Sequence, residues 1–542
     1  MMSDSVTDFG ASCPSHIGID LGTTFCCQAY IDEQGVPQII PSAEGERTTP
    51  SVLWFDGRRA YAGKVANDKK VGDPTHVYEF VKRDIGKPPD EAPYQIGSYK
   101  YGPAGMAALL LRKLKRDALN EFRRRGFVPT TTDERSFRLP VVITVPAYFG
   151  EQHRRETMLA GECAGLDVLG TVNEPTAAAR AYGILSAEPK RIMVFDLGGG
   201  TFDVTLLHMK GSTTEVLSSS GDSVLGGKDW DELIQSFLYE SYRQQTGTEL
   251  DDGFATSFEV QQKALHAKLC LSEQEETEVT LVGDRGEIRV TLKRARAKGA
   301  FNPYAMNPAD HTFYFAERAA DLMARCRRLC EDAMRMITVP TPGGGQRPFV
   351  WSDVDEVVLA GGSCRMPMIR DMLREVVGGR LRHEVSGFDY DTAIAIGAAL
   401  HGQQLLGVAG VTFIDVASHS LGIEVLLNGE RVVERLLPKN APLPLEVSRT
   451  YRAPSNAVLF VYEGESRLPD ECVLRGRMEL GDLEGQVIVT LKLSHDGVLV
   501  AHVLHAETSV ERILEVKHES FSSGTVRRRE LGDKVQSIVL AN

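Results

Sequence analysis

The sequence predicts an α/β protein of two similar lobes followed by a smaller all-β domain. Three observations carry that reading. An apolar run, Ile192-Met193-Val194-Phe195, feeds into Asp196-Leu197-Gly198-Gly199-Gly200-Thr201-Phe202-Asp203, and the pattern recurs near the start as Ile17-Gly18-Ile19-Asp20-Leu21-Gly22-Thr23-Thr24; internal repeats of this kind point to repeated structural units. Strand and helix patterns alternate between Val141 and Gly183, as they do in α/β sheets. From Val416 to about Glu519, short apolar-polar runs recur between the turn signals Asn428-Gly429, Glu463-Gly464 and Asp496-Gly497, as in all-β domains.

Each repeat reads as strand, hairpin, strand. Three consecutive glycines take every Cβ out of the second turn, so backbone N–H groups can converge on an anion such as phosphate. Asp196 and Asp203 flank those donors. Acids beside a phosphate repel it unless a hard cation lies between, so magnesium arriving with a nucleotide is expected. A plain hairpin with a flexible glycine turn is the bland alternative, and the second copy argues against it. Neither copy has the spacing of a P-loop or of a dinucleotide-binding turn. The nucleotide is therefore expected between two hairpins facing a shared cleft.

Size and charge narrow the class. A chain of 542 residues exceeds one core and predicts two to four domains. Its 61 basic and 74 acidic side chains give a net charge of −13 without a long basic run, which argues against nucleic acid as a partner. The start of the chain lacks the order of a signal peptide, and no window offers about 18 uninterrupted apolar residues. A cytoplasmic protein with no membrane partner is expected. Nine cysteines without a repeated Cys-x-x-Cys argue against disulfides or structural zinc. Cys326 and Cys330 share one face of a helix expected over 316–336, which suits core packing. Cys26 and Cys27 directly follow a phosphate loop, so oxidation or alkylation there is expected to impair nucleotide binding.

Between the repeats, 41–52 reads as a loop returning into a strand, and Val77–Arg83 as an apolar segment ending in Lys82 and Arg83. Val141–Val145 is a buried-strand run stopped by Pro146. A helix follows from Glu151 to about Cys163, with acids at its start as the dipole prefers. Val168–Val172 is a second strand, leading into Asn173-Glu174-Pro175-Thr176-Ala177-Ala178-Ala179 and an alanine-rich helix. Ligands of such sheets lie beyond the carboxyl ends of the strands.

Gly18–Thr24, Pro146–Phe149, Asn173–Gly183, Asp196–Val204, Leu225–Asp231, Val357–Pro367 and Asp391–Ala399, in this order, resemble the seventy-kilodalton heat-shock chaperones (DnaK-like proteins). The resemblance covers roughly residues 16 to 519. It implies a two-lobed ATPase domain of the actin and hexokinase type, α/β in class, followed by a β-sandwich that binds peptide. The implied division is a tail over 1–15, the nucleotide-binding domain over 16–405, a linker over 406–415, the sandwich over 416–519 and a short tail over 520–542.

The family's roles carry over residue by residue. Gly22, Thr23 and Thr24, with Gly198, Gly199, Gly200 and Thr201 and with Gly226 and Gly227, are implied to hold the phosphates of ATP or ADP. Asp20 and Asp196 are implied to hold Mg2+ mainly through water, with K+ as a further cation. Lys82 would reach the γ-phosphate and its attacking water, with Glu174, Asp196, Thr201 and Asp203 completing the catalytic set. The family's Glu, Lys, Arg and Ser that clamp adenosine match Leu265, Lys268, Leu269 and Ser272; Gly361, Gly362, Ser363, Arg365 and Asp391 match on the facing side. Two lost polar partners predict a looser grip on adenosine, at about 1.5–3 kcal/mol each, unless Leu265 and Leu269 simply pack. Phe25 is a smaller departure.

Arg154 and Asp415 match positions that couple the two domains. Ile423, Leu426, Tyr451 and Val458 are the candidates for the peptide slot, with ordinary sandwich core as the alternative. Residues 520–542, with Arg527-Arg528-Arg529, are too few for the family's helical lid, and without a lid bound peptide is expected to leave quickly. The expected function is ATP-driven binding and release of extended apolar segments of unfolded polypeptides, with a J-domain co-chaperone and a nucleotide-exchange factor as partners. The alternative is a nucleotide-gated scaffold without hydrolysis. A small-molecule kinase is disfavoured, since it has no use for a linker and β domain.

Overall fold

The computed structural model describes residues 13–540 apart from 58, 71, 89–90, 92–93, 97–98, 184–188, 211–212, 252, 296–311, 342, 383–388, 409–411, 482, 495–498, 516–530, 534 and 537. Most of the N-terminal tail, the middle of the linker, the Asp496-Gly497 turn and the Arg527-Arg528-Arg529 run lie outside the described residues.

The repeat seen in the sequence is a repeat in three dimensions. In the first lobe the strand order is Asp167–Asn173, Pro140–Val145, Ile17–Asp20, Phe25–Ile31, Pro37–Ile39, with Thr48–Pro50 also pairing Phe25–Ile31. The second lobe repeats it as Leu381–Arg382, Glu356–Ala360, Lys190–Leu197, Phe202–Lys210, Thr213–Asp222. In each, an antiparallel hairpin sits beside parallel strands: Ile17–Asp20 runs parallel to Pro140–Val145, and Lys190–Leu197 parallel to Glu356–Ala360. These strands are nearly all apolar because they are covered on both faces.

Two helices, Glu174–Gly183 and Ala393–Leu405, pack against each other between the lobes. Their small side chains set the distance of approach. A Cβ on Gly397 would lie 1.8 Å from the Ala177 carbonyl oxygen, and one on Gly18 would lie 2.2 Å from the Ala399 nitrogen. This explains the alanine run after Pro175: larger residues would push the lobes apart. The expected helix over Glu151–Cys163 is present with those bounds. That over 316–336 is divided into Phe315–Arg318 and Ala320–Arg335, with Cys326 and Cys330 fully buried in the second-lobe core.

The C-terminal part is a sandwich of two four-stranded antiparallel sheets. One has the order Glu430–Leu437, Leu421–Leu427, Val458–Glu463, Val473–Glu479; the other Leu445–Ala453, Gly485–Leu493, Leu499–His505, Glu511–Glu515. Its core is Ile423, Leu437, Val461, Leu491, Ala501 and Val503 with their neighbours. Ahead of it, Thr412–Ile414 adds a sixth, parallel strand to the second-lobe sheet at Thr213–Asp222. Among the described residues no helix is long and apolar enough to cross a membrane.

Candidate functional site

The two hairpins face each other across a cavity of about 570 Å³. It is lined from the first lobe by Asp20, Gly22, Thr23, Thr24, Phe25, Lys82 and Glu174, and from the second by Asp196, Gly198, Gly199 and Thr201. Leu265, Lys268, Leu269, Ser272, Gly361, Gly362, Ser363, Arg365 and Asp391 line the other end. The loops abut: a Cβ on Gly199 would sit 1.8 Å from Thr24 Oγ1, and one on Gly200 2.4 Å from the Thr23 methyl. The glycines are thus required by the approach of the opposite loop, in addition to baring their own N–H groups. Gly200, Asp203, Gly226 and Gly227 build the wall without lining the cavity. Gly227 and Lys228, at the start of the Gly227–Thr246 helix, donate their N–H groups to the carbonyls of Gly198 and Gly199 at 2.9 Å each.

At the end lined by the glycine turns the register sets Asp196 directly opposite Asp203. Lys82 is buried on the short turn Val81–Asp84 and pairs with buried Glu174. Burial alone would lower the Lys82 ammonium, but Glu174, Asp20 and Asp196 outweigh it and raise it. Burial, then the Glu174 charge, pushes both Asp20 and Asp203 up to about 7, although Asp20 accepts from Thr144 Oγ1 at 3.1 Å and Asp203 from the Tyr148 N–H at 3.1 Å. Asp196 is raised well above the usual carboxylate range for the same reasons, and its buried Oδ2 has no hydrogen-bond partner. Four acids around one lysine fit a site that receives positive charge with its ligand. Among the described residues no three His, Cys, Asp or Glu side chains converge enough to hold a metal directly. The donor set fits magnesium held through its own water, a mode that this slowly dehydrating ion favours.

The end lined by Leu269, Arg365 and Asp391 is more open. Arg365 binds Asp391 through two hydrogen bonds of 3.0 and 2.8 Å, with both side chains well exposed. Lys268 is turned away from solvent, donating to Asp231 Oδ2 at 2.8 Å and to the Gly227 carbonyl at 3.0 Å. Ser272 donates to the Lys268 carbonyl. Leu269 is 56% exposed, so it gains little from packing within the chain.

Arg83 is a residue that the sequence reading left without a role. Its guanidinium crosses the cleft to the Gly200 carbonyl at 2.9 Å and to Asp229 Oδ2 at 3.0 Å, tying the two lobes together beside the glycine turn. Its place right after Lys82 was the available signal. The expectation for Cys26 and Cys27 is corrected: both are buried, and burial pushes the Cys26 thiol up to about 11 and the Cys27 thiol well above its ordinary range. The thiolate is the reactive form, so these cysteines are inert packing residues.

The sandwich docks on both lobes, chiefly on the first and through Asn440 on the second. Arg154 donates to Asn173 Oδ1 at 2.5 Å and to Ser418 Oγ at 3.0 Å; Asn173 in turn donates to Asp415 Oδ2 at 3.0 Å. Arg154 and Asp415 therefore meet through Asn173, and burial raises the Asp415 carboxyl. His419 bonds the Tyr148 carbonyl, Arg475 donates to Gln152, and Asn440 accepts from the Ser219 N–H. In the sandwich itself, Ile423 lies in the core, Leu426 is 76% exposed at the Asn428-Gly429 hairpin, and Val458 is half-buried. Tyr451 Oη donates to Glu434, the register partner of Ile423.

Two lobes of repeated strand order, closing glycine-turn hairpins over a cleft and carrying a docked β-sandwich, define an actin-like ATPase joined to a β-sandwich domain. The family model described as "Hsp70 protein" matches residues 16–528. The chain is 32% identical over 556 aligned positions to "Chaperone protein DnaK" of Anaplasma marginale (strain St. Maries), an alignment covering 96% of this chain and 78% of that protein. The chain belongs to the Hsp70 family. It is an ATP-dependent chaperone of that class and an ATPase, a class that binds nucleotide and unfolded polypeptide; the non-hydrolysing scaffold is not favoured.

Proposed function

We propose that ATP is hydrolysed in this cleft, with Lys82 as the group that bridges the γ-phosphate and its attacking water. The observation that carries the reading is the buried Lys82–Glu174 pair set beneath the two facing hairpins. Glu174 holds the ammonium in position, and Thr201 and Asp203 orient the water. Phosphoryl transfer depends mainly on positioning and charge, and the buried Lys82–Glu174 pair supports such a role. The N–H groups of the hairpins, with Thr23 and Thr24, bind the phosphates. Mg2+, held by Asp20 and Asp196 mainly through water, would neutralise charge on the phosphate oxygens; K+ is a second candidate cation. Lys268, Ser272, Gly361, Gly362, Ser363, Arg365 and Asp391 surround the adenosine.

The same reading assigns the nucleotide domain to 16–405, the linker to 406–415 and the polypeptide-binding sandwich to 416–519. Ile423, Leu426, Tyr451 and Val458 mark its peptide slot, and recognition would combine main-chain hydrogen bonds with an apolar pocket. Arg154 and Asp415 transmit the nucleotide state. A J-domain co-chaperone, a nucleotide-exchange factor and a cytoplasmic location complete the proposal. Single-turnover hydrolysis tests it. Lys82→Ala should lose at least about 100-fold in rate, the scale of removing one preorganised electrostatic group, while retaining ATP binding. Asp415→Ala should abolish stimulation by an unstructured apolar peptide. Tight ATP binding without turnover in the intact chain would reject the assignment.

A further inference from the structure

After the last sandwich strand, Glu511–Glu515, the chain returns to the first lobe at Leu531. There Leu531, Val535, Ile538 and Leu540 join the first-lobe core, Val535 with no exposed surface at all. Val539–Leu540 pairs in parallel with Arg59–Ala60, extending the small sheet that also contains Leu53–Phe55 and Val77–Tyr78. Two arginines of the long Pro103–Arg125 helix read the backbone of this segment. Arg112 donates to the carbonyls of Val535 at 2.8 Å and Ile538 at 2.7 Å, and Arg116 to that of Leu540 at 2.8 Å. Gln536 donates back to the Cys163 carbonyl at 3.0 Å. Arg112 is itself buried, so its charge depends on these carbonyls and on Glu134 for compensation. A segment held by a buried apolar anchor, strand pairing and charge-assisted hydrogen bonds is docked, not draped.

We propose that residues 531–540 are a strap that tethers the sandwich to the first lobe and holds it near its docked position, independently of which residues hydrolyse ATP. The linker strand Thr412–Ile414 attaches the sandwich to the second-lobe sheet, whereas the strap attaches it to the first lobe. The sandwich is thereby fastened to both halves of the cleft. The 15 residues 516–530 bridge Glu515 to Leu531 and span at most about 55 Å when fully extended. A second short tether raises the effective concentration of the sandwich at its docking face. While Val535 stays in its pocket, the sandwich can move from the first lobe only as far as residues 516–530 reach.

The Ser219 amide, which donates to Asn440 of the docked sandwich at 3.1 Å, is a reporter of docking by hydrogen exchange. The full-length chain is compared, with ATP and with ADP, with Val535→Asp and with a variant carrying about 45 Gly/Ser residues inserted within 516–530. Lengthening the tether about fourfold lowers its contribution to effective concentration by at most about eightfold, its −3/2 power, and because the linker strand still holds the sandwich, Ser219 protection should fall by up to that factor. Val535→Asp should lower it at least as much. The insertion leaves every strap contact intact, so its thermal midpoint should match the parent, and it decides the matter alone if Val535→Asp does not fold. Unchanged Ser219 protection in the insertion variant would overturn the tether and leave the segment as packing for the first lobe.

Discussion

Buried charge gathers in two places in this molecule, and the two are composed in opposite ways. In the cleft, Asp20, Glu174, Asp196 and Asp203 crowd around Lys82, and burial raises three of the four acids. At the docking face, Glu463 is paired with Arg475 beneath Gly150, Arg154 is satisfied by Asn173 and Ser418, and His153 stays neutral. The cleft is left incomplete until a ligand brings charge to it. At the docking face the charged side chains find their partners within the chain. A site that must bind and release a highly charged substrate benefits from the first arrangement, and an interface between two parts of one chain from the second, because an unpaired buried charge costs several kcal/mol.

The contrast can be broken most sharply at Arg475. Arg475→Ala leaves Glu463 buried without its partner, which should cost about 3–5 kcal/mol, seen in denaturant unfolding of the sandwich and in faster exchange at Ser219. Replacing both partners with leucine should recover much of that loss; failure to recover would mean that the pair does more than compensate charge.

Titration of His153 should have the next largest effect. Burial, and then Arg475, drive its imidazole down to about 4, with Glu463 opposing and His419 and Arg154 adding to the effect. The unfolded chain therefore takes up the proton first. Stability from this group is fully present above pH 6.5 and is lost as pH falls from 6.5 towards 4, up to roughly 3 kcal/mol. In unfolding measured across that range, the stability of the parent relative to His153→Gln should fall as pH drops, because the slope from the raised Asp20 and Asp203 carboxyls is common to both.

Within the cleft, Gly199→Ala should weaken ATP binding by about 1–3 kcal/mol, the cost of overpacking, since its methyl meets Thr24. Gly343→Ala, at a site facing open space, should change nothing. Arg365→Ala removes an exposed ion pair and should cost no more than about 1 kcal/mol in ATP affinity, with the single-turnover rate unchanged. Calorimetric titration with ATP separates Gly199→Ala from Arg365→Ala, and equal losses would erase the distinction between the buried glycine-turn end and the open end of the cleft.

Much of this was legible from the chain alone, because it depends on residues close in sequence. Asp-Leu-Gly and Gly-Gly-Gly-Thr specify a tight turn between apolar strands, and the alanine run after Pro175 specifies a thin helix, whatever lies around them. Family membership followed from the order of such motifs. The openness of the far end of the cleft was half legible: Leu265 and Leu269 stood out, but the turning of Lys268 towards Asp231 did not. Four apolar candidates for the peptide slot could be named, yet only packing could put Ile423 in the core and leave Leu426 in solvent.

The sequence by itself determined the repeated hairpins, the α/β class, the sandwich and the set of acids around Lys82. Tertiary structure alone decided that the two glycine turns abut across the cleft, that Arg83 bridges it, that Cys26 and Cys27 are sealed from reaction, and that residues 531–540 return to the first lobe. The reason is physical. Turn and strand preferences act over a few residues, whereas Arg112 meets Val535 across more than four hundred positions, and no local pattern records which distant carbonyl will satisfy a buried guanidinium.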